Sequence, residues 1–311
     1  MTVETIPGGV YTPITTFFHE DYTLDLKTQV QHAKFLYDNG IQGLVVAGSM
    51  GEAAHLSSHE RYTLVKTLRE AIPDPQFKLI AGAPPLNVQD GIKESVQAKE
   101  AGANFMIFLV PGFFGGHLTS QQGIVDYFHA IADQSALPIM VYNYPGVSNN
   151  VTLTIDTFHQ LSHHGNIVGV KLTHFSLDTY TLLGKDIRLH KNNFSPFTGL
   201  GQVLVPAMAV GIRGTIDGLS GVFPKVMVRL FELIKQGKWE EAGELQFLVT
   251  QADMMIGDYN LVGTKFAINK YHGMGGYLAG RPPLNQGIDG GKFKKYEEAF
   301  DELMKVEKTL A

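Results

Sequence analysis

The chain has 311 residues, of which 44% are hydrophobic and 18% charged, with a formal net charge of -5 and no cysteine. The mild acidity and the lack of any long basic run argue against a nucleic-acid or anionic-membrane surface. Without cysteine there is no disulfide, no thiolate nucleophile and no Cys-ligated zinc.

The segment Met1 to Pro7 has neither an apolar signal core nor an Arg-rich amphipathic stretch, and no apolar run reaches membrane-spanning length, so a cytoplasmic protein is expected. From residue 9 onward, short β-rich segments alternate with amphipathic stretches of helical length. Strands are predicted over 9–16, 43–46, 78–82, 105–110, 138–142, 167–171, 194–198 and 214–217. Helices are predicted between them, for example over 26–39, 59–71, 89–101, 120–134 and 154–162. The second of these opens on Ser57 with Glu60 three residues on, the pattern of a capping box, and carries Leu64, Val65 and Leu68 on one face. Eight strand–helix units predict an α/β fold of the (β/α)8, or TIM-barrel, type, whose chemistry sits at the C-terminal ends of the strands. About ninety residues follow the eighth strand with helical patterning, over 226–236, 239–254, 264–271 and 292–310. The expected organisation is a barrel core over 1–220 with C-terminal helices over 221–311 packed on it as one structural unit.

Three strand ends carry chemistry. Strand six ends in Lys171 after the β-branched run Ile167-Val168-Gly169-Val170. An ammonium in such a strand must be paired, solvated at its end, or deprotonated. Either its head snorkels to water, or desolvation lowers its pKa and leaves an amine able to attack a carbonyl. Strand two runs into Gly48-Ser49-Met50-Gly51-Glu52, where glycines permit backbone amides to converge on an anion and Ser49 adds a hydroxyl. The same turn could simply need glycine for its backbone angles. Strand five ends in Tyr142, a proton-shuttle candidate by position or a core tyrosine with a satisfied hydroxyl. His55 and His59 share a spacing that could suit a metal, but Ser57 caps the helix between them, so no metal site is expected.

In their order and spacing, Tyr11-Thr12-Pro13, Gly48-Ser49-Met50-Gly51-Glu52, Ser58-His59-Glu60-Arg61, Tyr142-Asn143-Tyr144-Pro145, Gly169-Val170-Lys171 and Arg281-Pro282-Pro283-Leu284 resemble the dihydrodipicolinate synthase / N-acetylneuraminate lyase family of class I pyruvate aldolases. The resemblance implies that Lys171 forms an imine with a 2-oxo acid and that Tyr142 shuttles protons. It also implies that Ser49, Met50 and Gly51 hold the substrate carboxylate and that Ile216 lines the pyruvate pocket. No cofactor is implied, the partner is a small 2-oxo acid, and a homotetramer is expected.

Departures from the family pattern narrow the substrate. Met50 stands where threonine is frequent, and Pro111-Gly112-Phe113-Phe114 replaces a stretch that tends to carry a relay tyrosine; Phe114 can pack there but cannot pass a proton. Val147 falls where the synthases place an arginine for a second carboxylate, and Thr198-Gly199-Leu200-Gly201-Gln202 lacks the acidic residues of the sialic acid lyases. What is left is a short neutral hydroxyaldehyde, with Asn149 and Thr173 among its expected contacts and Ser148, His174 and Asp217 as further candidates. The Tyr-Asn-Tyr-Pro variant is similar to that of the 2-keto-3-deoxy sugar-acid aldolases, which implies cleavage of 2-keto-3-deoxy-L-galactonate to pyruvate and L-glyceraldehyde. The alternatives are 4-hydroxy-2-oxoglutarate cleavage, dihydrodipicolinate synthesis, or a silent barrel that only binds a keto acid.

Overall fold

The computed structural model describes residues 3–310. Eight parallel strands close into a barrel in sequence order: β1 (Val10–Pro13), β2 (Gly43–Val46), β3 (Lys78–Ala83), β4 (Phe105–Leu109), β5 (Ile139–Asn143), β6 (Ile167–Leu172), β7 (Ser195–Thr198) and β8 (Thr215–Ile216). The ring closes where Val10 and Tyr11 of β1 pair with Thr215 and Ile216 of β8. Nearly every strand residue is buried, as expected of a parallel sheet covered on one side by helices and filled on the other by its own side chains. Tyr11, Val45, Ile80, Phe105, Ile107, Met140, Tyr142, Val168, Phe197 and Ile216 make the inner filling. Each predicted strand is present, with ends shifted by three residues at most.

Between strands run α1 (Leu26–Asp38), α2 (Ser58–Ala71), α3 (Val88–Glu100), α4 (Gln121–Ala132), α5 (Ile155–Ser162), α6 (Leu177–Gly184), α7 (Ile187–Lys191) and α8 (Leu204–Ala209). The predicted capping box is formed: the Glu60 amide donates to Ser57 Oγ at 3.2 Å, and the Ser57 amide to Glu60 Oε2 at 2.8 Å. After β8 come α9 (Pro224–Lys235), α10 (Trp239–His272), α11 (Gly290–Phe293) and α12 (Glu297–Thr309). The sequence separates 239–254 from 264–271, whereas the structure carries one long helix through both, broken at Asn260 (φ 44°, ψ -133°). Asparagine tolerates positive φ better than most residues, and its own Oδ1 accepts the Leu261 amide at 2.8 Å. No helix among the described residues is long and apolar enough to cross a membrane.

Two features of this frame set the site. Ile167 and Gly169 of β6 face the consecutive residues Ile139 and Met140 of β5, so Val168 is an extra residue, a β-bulge. Because facing alternates along a strand, one extra residue switches which side chains point inward. Val168 joins the inner filling, and three residues later Lys171 still lies opposite Tyr142. Gly169 fits the crowded step: a β-carbon there would stand 2.3 Å from the Ser195 carbonyl oxygen.

The second feature is an ion pair between Lys265 of α10 and Glu52 in the turn after β2, at 2.7 Å with neither side chain exposed. Glu52 also accepts the Arg281 amide at 2.9 Å and meets His55 Nδ1 at 3.0 Å, so one carboxylate ties the turn to the C-terminal helices. Removing its cation leaves a buried, under-compensated charge. Lys265→Met should therefore destabilise the fold by about 3–5 kcal/mol, measured by urea denaturation against the parent chain.

Candidate active site

Lys171 and Tyr142 are register partners on adjacent strands, and the Lys171 ammonium nitrogen lies 4.4 Å from the centre of the Tyr142 ring. Lys171 is 3% exposed and makes no ion pair within 4 Å among the described residues. Burial pushes its pKa down to about 7, against the opposing pull of the Asp217 carboxylate. A good fraction of the amine is thus unprotonated near neutrality, which is the condition for attack on a carbonyl.

The Tyr142 hydroxyl meets Ser49 Oγ at 3.1 Å. Burial raises the phenol's pKa, while Ser49 and Thr173 favour its ionised form. The turn carrying Ser49 has its later amides spoken for: Gly51 and Ala53 donate to the Gly48 carbonyl at 3.1 Å, and Glu52 to the Ser49 carbonyl at 3.2 Å. Those of Ser49 and Met50 donate to no acceptor among the described residues. Two successive amides without an acceptor and a hydroxyl on the same turn make a donor set of the kind that holds a carboxylate.

Two cavities meet at this point, both lined by Ser49, Tyr142 and Lys171. One, of about 260 Å³, is largely apolar, walled by residues such as Val45, Ala83, Pro84, Ile107, Val147 and Leu284. The other, of about 80 Å³, is the more polar of the two, lined by Thr173, Gln202, Asp253 and Asn260 together with Met50 and Ile216. The Thr173 hydroxyl is buried and closes no hydrogen bond of normal length.

The fold brings Lys171, Tyr142, Ser49, Met50, Ile216 and Thr173 together. Gly51 lines neither cavity; its part is to shape the turn, where its carbonyl accepts from Thr16 Oγ1 at 2.7 Å. Phe114 lines neither cavity of this chain: it is 65% exposed and edge-on to Phe113. Asn149 is also exposed, in a left-handed conformation (φ 49°) next to the Gly115 loop, and lines neither cavity. Both residues sit on loops whose direction no periodicity encodes. His174 stacks on Tyr180, and Ser148 donates to the Val110 carbonyl at 3.0 Å, so neither reaches the amine.

Sequence reasoning missed Asp253, Gln202 and Asn260. The signal for Asp253 was an acid on the buried stripe of α10, one turn after Val249 and two after Gln246. Its partner in charge is Asp217, which accepts from Thr215 Oγ1 at 3.1 Å and from the Ser220 amide at 2.9 Å. A β-carbon on Gly201 would stand 3.2 Å from Asp217 Oδ1 and 3.4 Å from Asp253 Oδ2, so the two carboxylates flank one stretch of backbone. Burial is the main reason that Asp217 is raised to about 6 and Asp253 to about 7.

The dihydrodipicolinate synthetase family model matches residues 6–289. The chain belongs to that family. It is 33% identical to the L-threo-3-deoxy-hexylosonate aldolase of Hypocrea jecorina over the whole of both chains. It is 32% identical to a protein of Emericella nidulans named "Probable 4-hydroxy-2-oxoglutarate aldolase, mitochondrial", covering 97% of this chain and 96% of that one. Among solved structures, the 4-hydroxy-tetrahydrodipicolinate synthase of Methylacidiphilum fumariolicum SolV superposes with a TM-score of 0.86 at 27% identity, over 98% and 99% of the two chains.

The charge arrangement makes a prediction that needs no substrate. Labelling of Lys171 by an amine-selective reagent, followed by peptide mass mapping, should show a midpoint near pH 7, well below the ordinary lysine range. In Asp217→Asn the anion that holds the proton on Lys171 is gone, and the midpoint should move to lower pH. A shift upward would mean that Asp217 does not act on the amine.

Proposed function

We propose that this member of the dihydrodipicolinate synthetase family is a class I aldolase that cleaves a 2-keto-3-deoxy sugar acid, 2-keto-3-deoxy-L-galactonate before others, to pyruvate and L-glyceraldehyde. The observation that carries the reading is Lys171, a buried amine without a close anion, set against the Tyr142 ring and opening onto both cavities. The full-length similarity to an L-threo-3-deoxy-hexylosonate aldolase supports the choice of substrate.

In this mechanism the unprotonated Lys171 amine attacks C2 of the 2-oxo acid. Tyr142 donates a proton to the carbonyl oxygen as the carbinolamine forms, and loss of water leaves a protonated imine. That cation draws the electron pair of the C3–C4 bond toward nitrogen. Tyr142, now a phenolate, takes the proton from the C4 hydroxyl as that carbon becomes an aldehyde. Tyr142, now a phenol again, gives its proton to C3 of the enamine, and water adds to the resulting imine to release pyruvate and the free amine, the spare proton returning to the Tyr142 phenolate. Ser49 Oγ with the Ser49 and Met50 amides holds the C1 carboxylate, and Ile216 closes the apolar side of the pyruvate methyl group. No metal or organic cofactor enters any step.

A dicarboxylate such as 4-hydroxy-2-oxoglutarate would need a second cation. Lys171 is the one lysine or arginine lining either cavity among the described residues. This favours a neutral aldehyde half.

We place the active protein as a homotetramer. Phe113, Phe114 and Leu118 project from the loop after β4 at 89%, 65% and 69% exposure, a patch that a second copy would cover. Light scattering should give the mass of an oligomer, and Phe113→Asp with Phe114→Asp should yield a smaller species.

Borohydride reduction in the presence of pyruvate tests the central step. A pyruvyl adduct should map to Lys171 and be absent from Lys171→Ala. Tyr142→Phe should still form the adduct but lose about 10²–10⁴-fold in kcat for cleavage. Absence of any adduct, under conditions where a known class I aldolase traps, would overturn the proposal.

A further inference from the structure

The polar cavity beside Lys171 is walled in part by α10, outside the strand ends that normally furnish a barrel's chemistry. We propose that Asp253, carried by α10 into this cavity, binds the hydroxyls of the aldehyde half and makes the enzyme select a short neutral polyol over a second carboxylate. This rests on the aldolase reading above.

Three observations carry it. First, the two cavities differ in what they can bind. Hydroxyls placed in the apolar one would find fewer partners to replace water, since Glu52 there is already committed to Lys265 and the Arg281 amide and His55 Nδ1 faces the same carboxylate. The polar one offers Thr173, Gln202, Asp253 and Asn260. Second, the Thr173 hydroxyl is buried and closes no hydrogen bond of normal length, while it acts on the Tyr142 phenol from the same cavity; a substrate hydroxyl would complete its bonding. Third, Asp253 is 4% exposed yet keeps acceptor capacity. Its Oδ2 takes the Gln202 amide at 3.0 Å, and the Gly201 amide also points at the carboxylate. A carboxylate has about four acceptor positions, so two stay open.

The discrimination is electrostatic. Asp253 stands beside Asp217, and a second substrate carboxylate brought next to them would meet that charge with no basic side chain in the cavity other than Lys171, which is engaged as the imine, whereas hydroxyls can donate to Asp253. Selectivity comes from this repulsion as much as from the new hydrogen bonds.

The test compares kcat/KM for a six-carbon 2-keto-3-deoxy acid and for 4-hydroxy-2-oxoglutarate, at pH 8, where the Asp253 carboxyl is largely ionised. Asp253→Asn keeps an oxygen for the Gln202 amide but removes the charge. The sugar acid should lose about tenfold or more, mostly in KM, while the dicarboxylate should gain severalfold. Gln202→Lys leaves Asp253 and the backbone amide in place and adds a cation to the same cavity. It should shift the ratio in the same direction, so a folding defect in Asp253→Asn cannot decide the matter alone. Equal losses for both substrates in Asp253→Asn, with no change of ratio in Gln202→Lys, would overturn the assignment. Pyruvate trapping, which involves no aldehyde half, separates the two levels. A wild-type chain that fails to trap refutes the aldolase reading itself; a chain that traps but shows no change of ratio refutes only the role of Asp253.

Discussion

The site depends on keeping a primary amine out of water without giving it an anion to pair with. Moving the Lys171 pKa from 10.5 to about 7 corresponds to something on the order of 5 kcal/mol of differential solvation. That cost is large beside the net stability of a typical domain. It is tolerable because the barrel's inner filling and the shell between strands and helices bury far more apolar surface than any one defect removes. Asp217 moderates the effect. Its charge retains some affinity for the proton on Lys171, so the amine is poised near neutrality and not stripped of its proton altogether. Titration near pH 7 therefore belongs to Lys171, Asp217 and Asp253 as a group.

The same economy of charge explains the C-terminal helices. A barrel of short parallel strands leaves the mouth around Lys171 open. α10 closes it from the side and anchors itself by Lys265 on Glu52, by Gln246 Nε2 donating to the Gly201 carbonyl at 3.0 Å, and by Asp253 on the Gln202 amide. Each anchor lands on a turn that follows a strand and carries or borders the site. Strain is concentrated at the same place, since Asn260 holds a positive φ in mid-helix where α10 lines the polar cavity.

Physically, the residues around Lys171 divide the work on a substrate of this class. In the proposed reading the Ser49 and Met50 amides and the Ser49 hydroxyl face the charged end, the Lys171–Tyr142 pair faces the carbon that reacts, and Thr173, Gln202 and Asp253, which line the same polar cavity, face the remainder. On that reading the anionic Asp253 narrows what can bind, while the strand-end residues define the chemistry that all such substrates share.

Read by itself, the sequence determined the barrel, because alternation of buried β-branched runs with amphipathic helices has few other solutions. It also determined Ser49, Tyr142 and Lys171 as strand-end residues, since a polar group that closes an apolar run is visible in one dimension. Tertiary structure decided the rest. Whether Lys171 points into the barrel depends on pairing with β5 and on the extra residue Val168, and register is a relation between strands that neither strand encodes alone. Phe114 and Asn149 follow loops whose course no periodicity fixes, and the fold turns both away from the cavities. Asp253 lies 82 residues after Lys171 on a helix that looks merely amphipathic. Only packing of α10 against the turn after β7 brings that carboxylate to the amine's side, because contact at such separation is set by how whole elements dock.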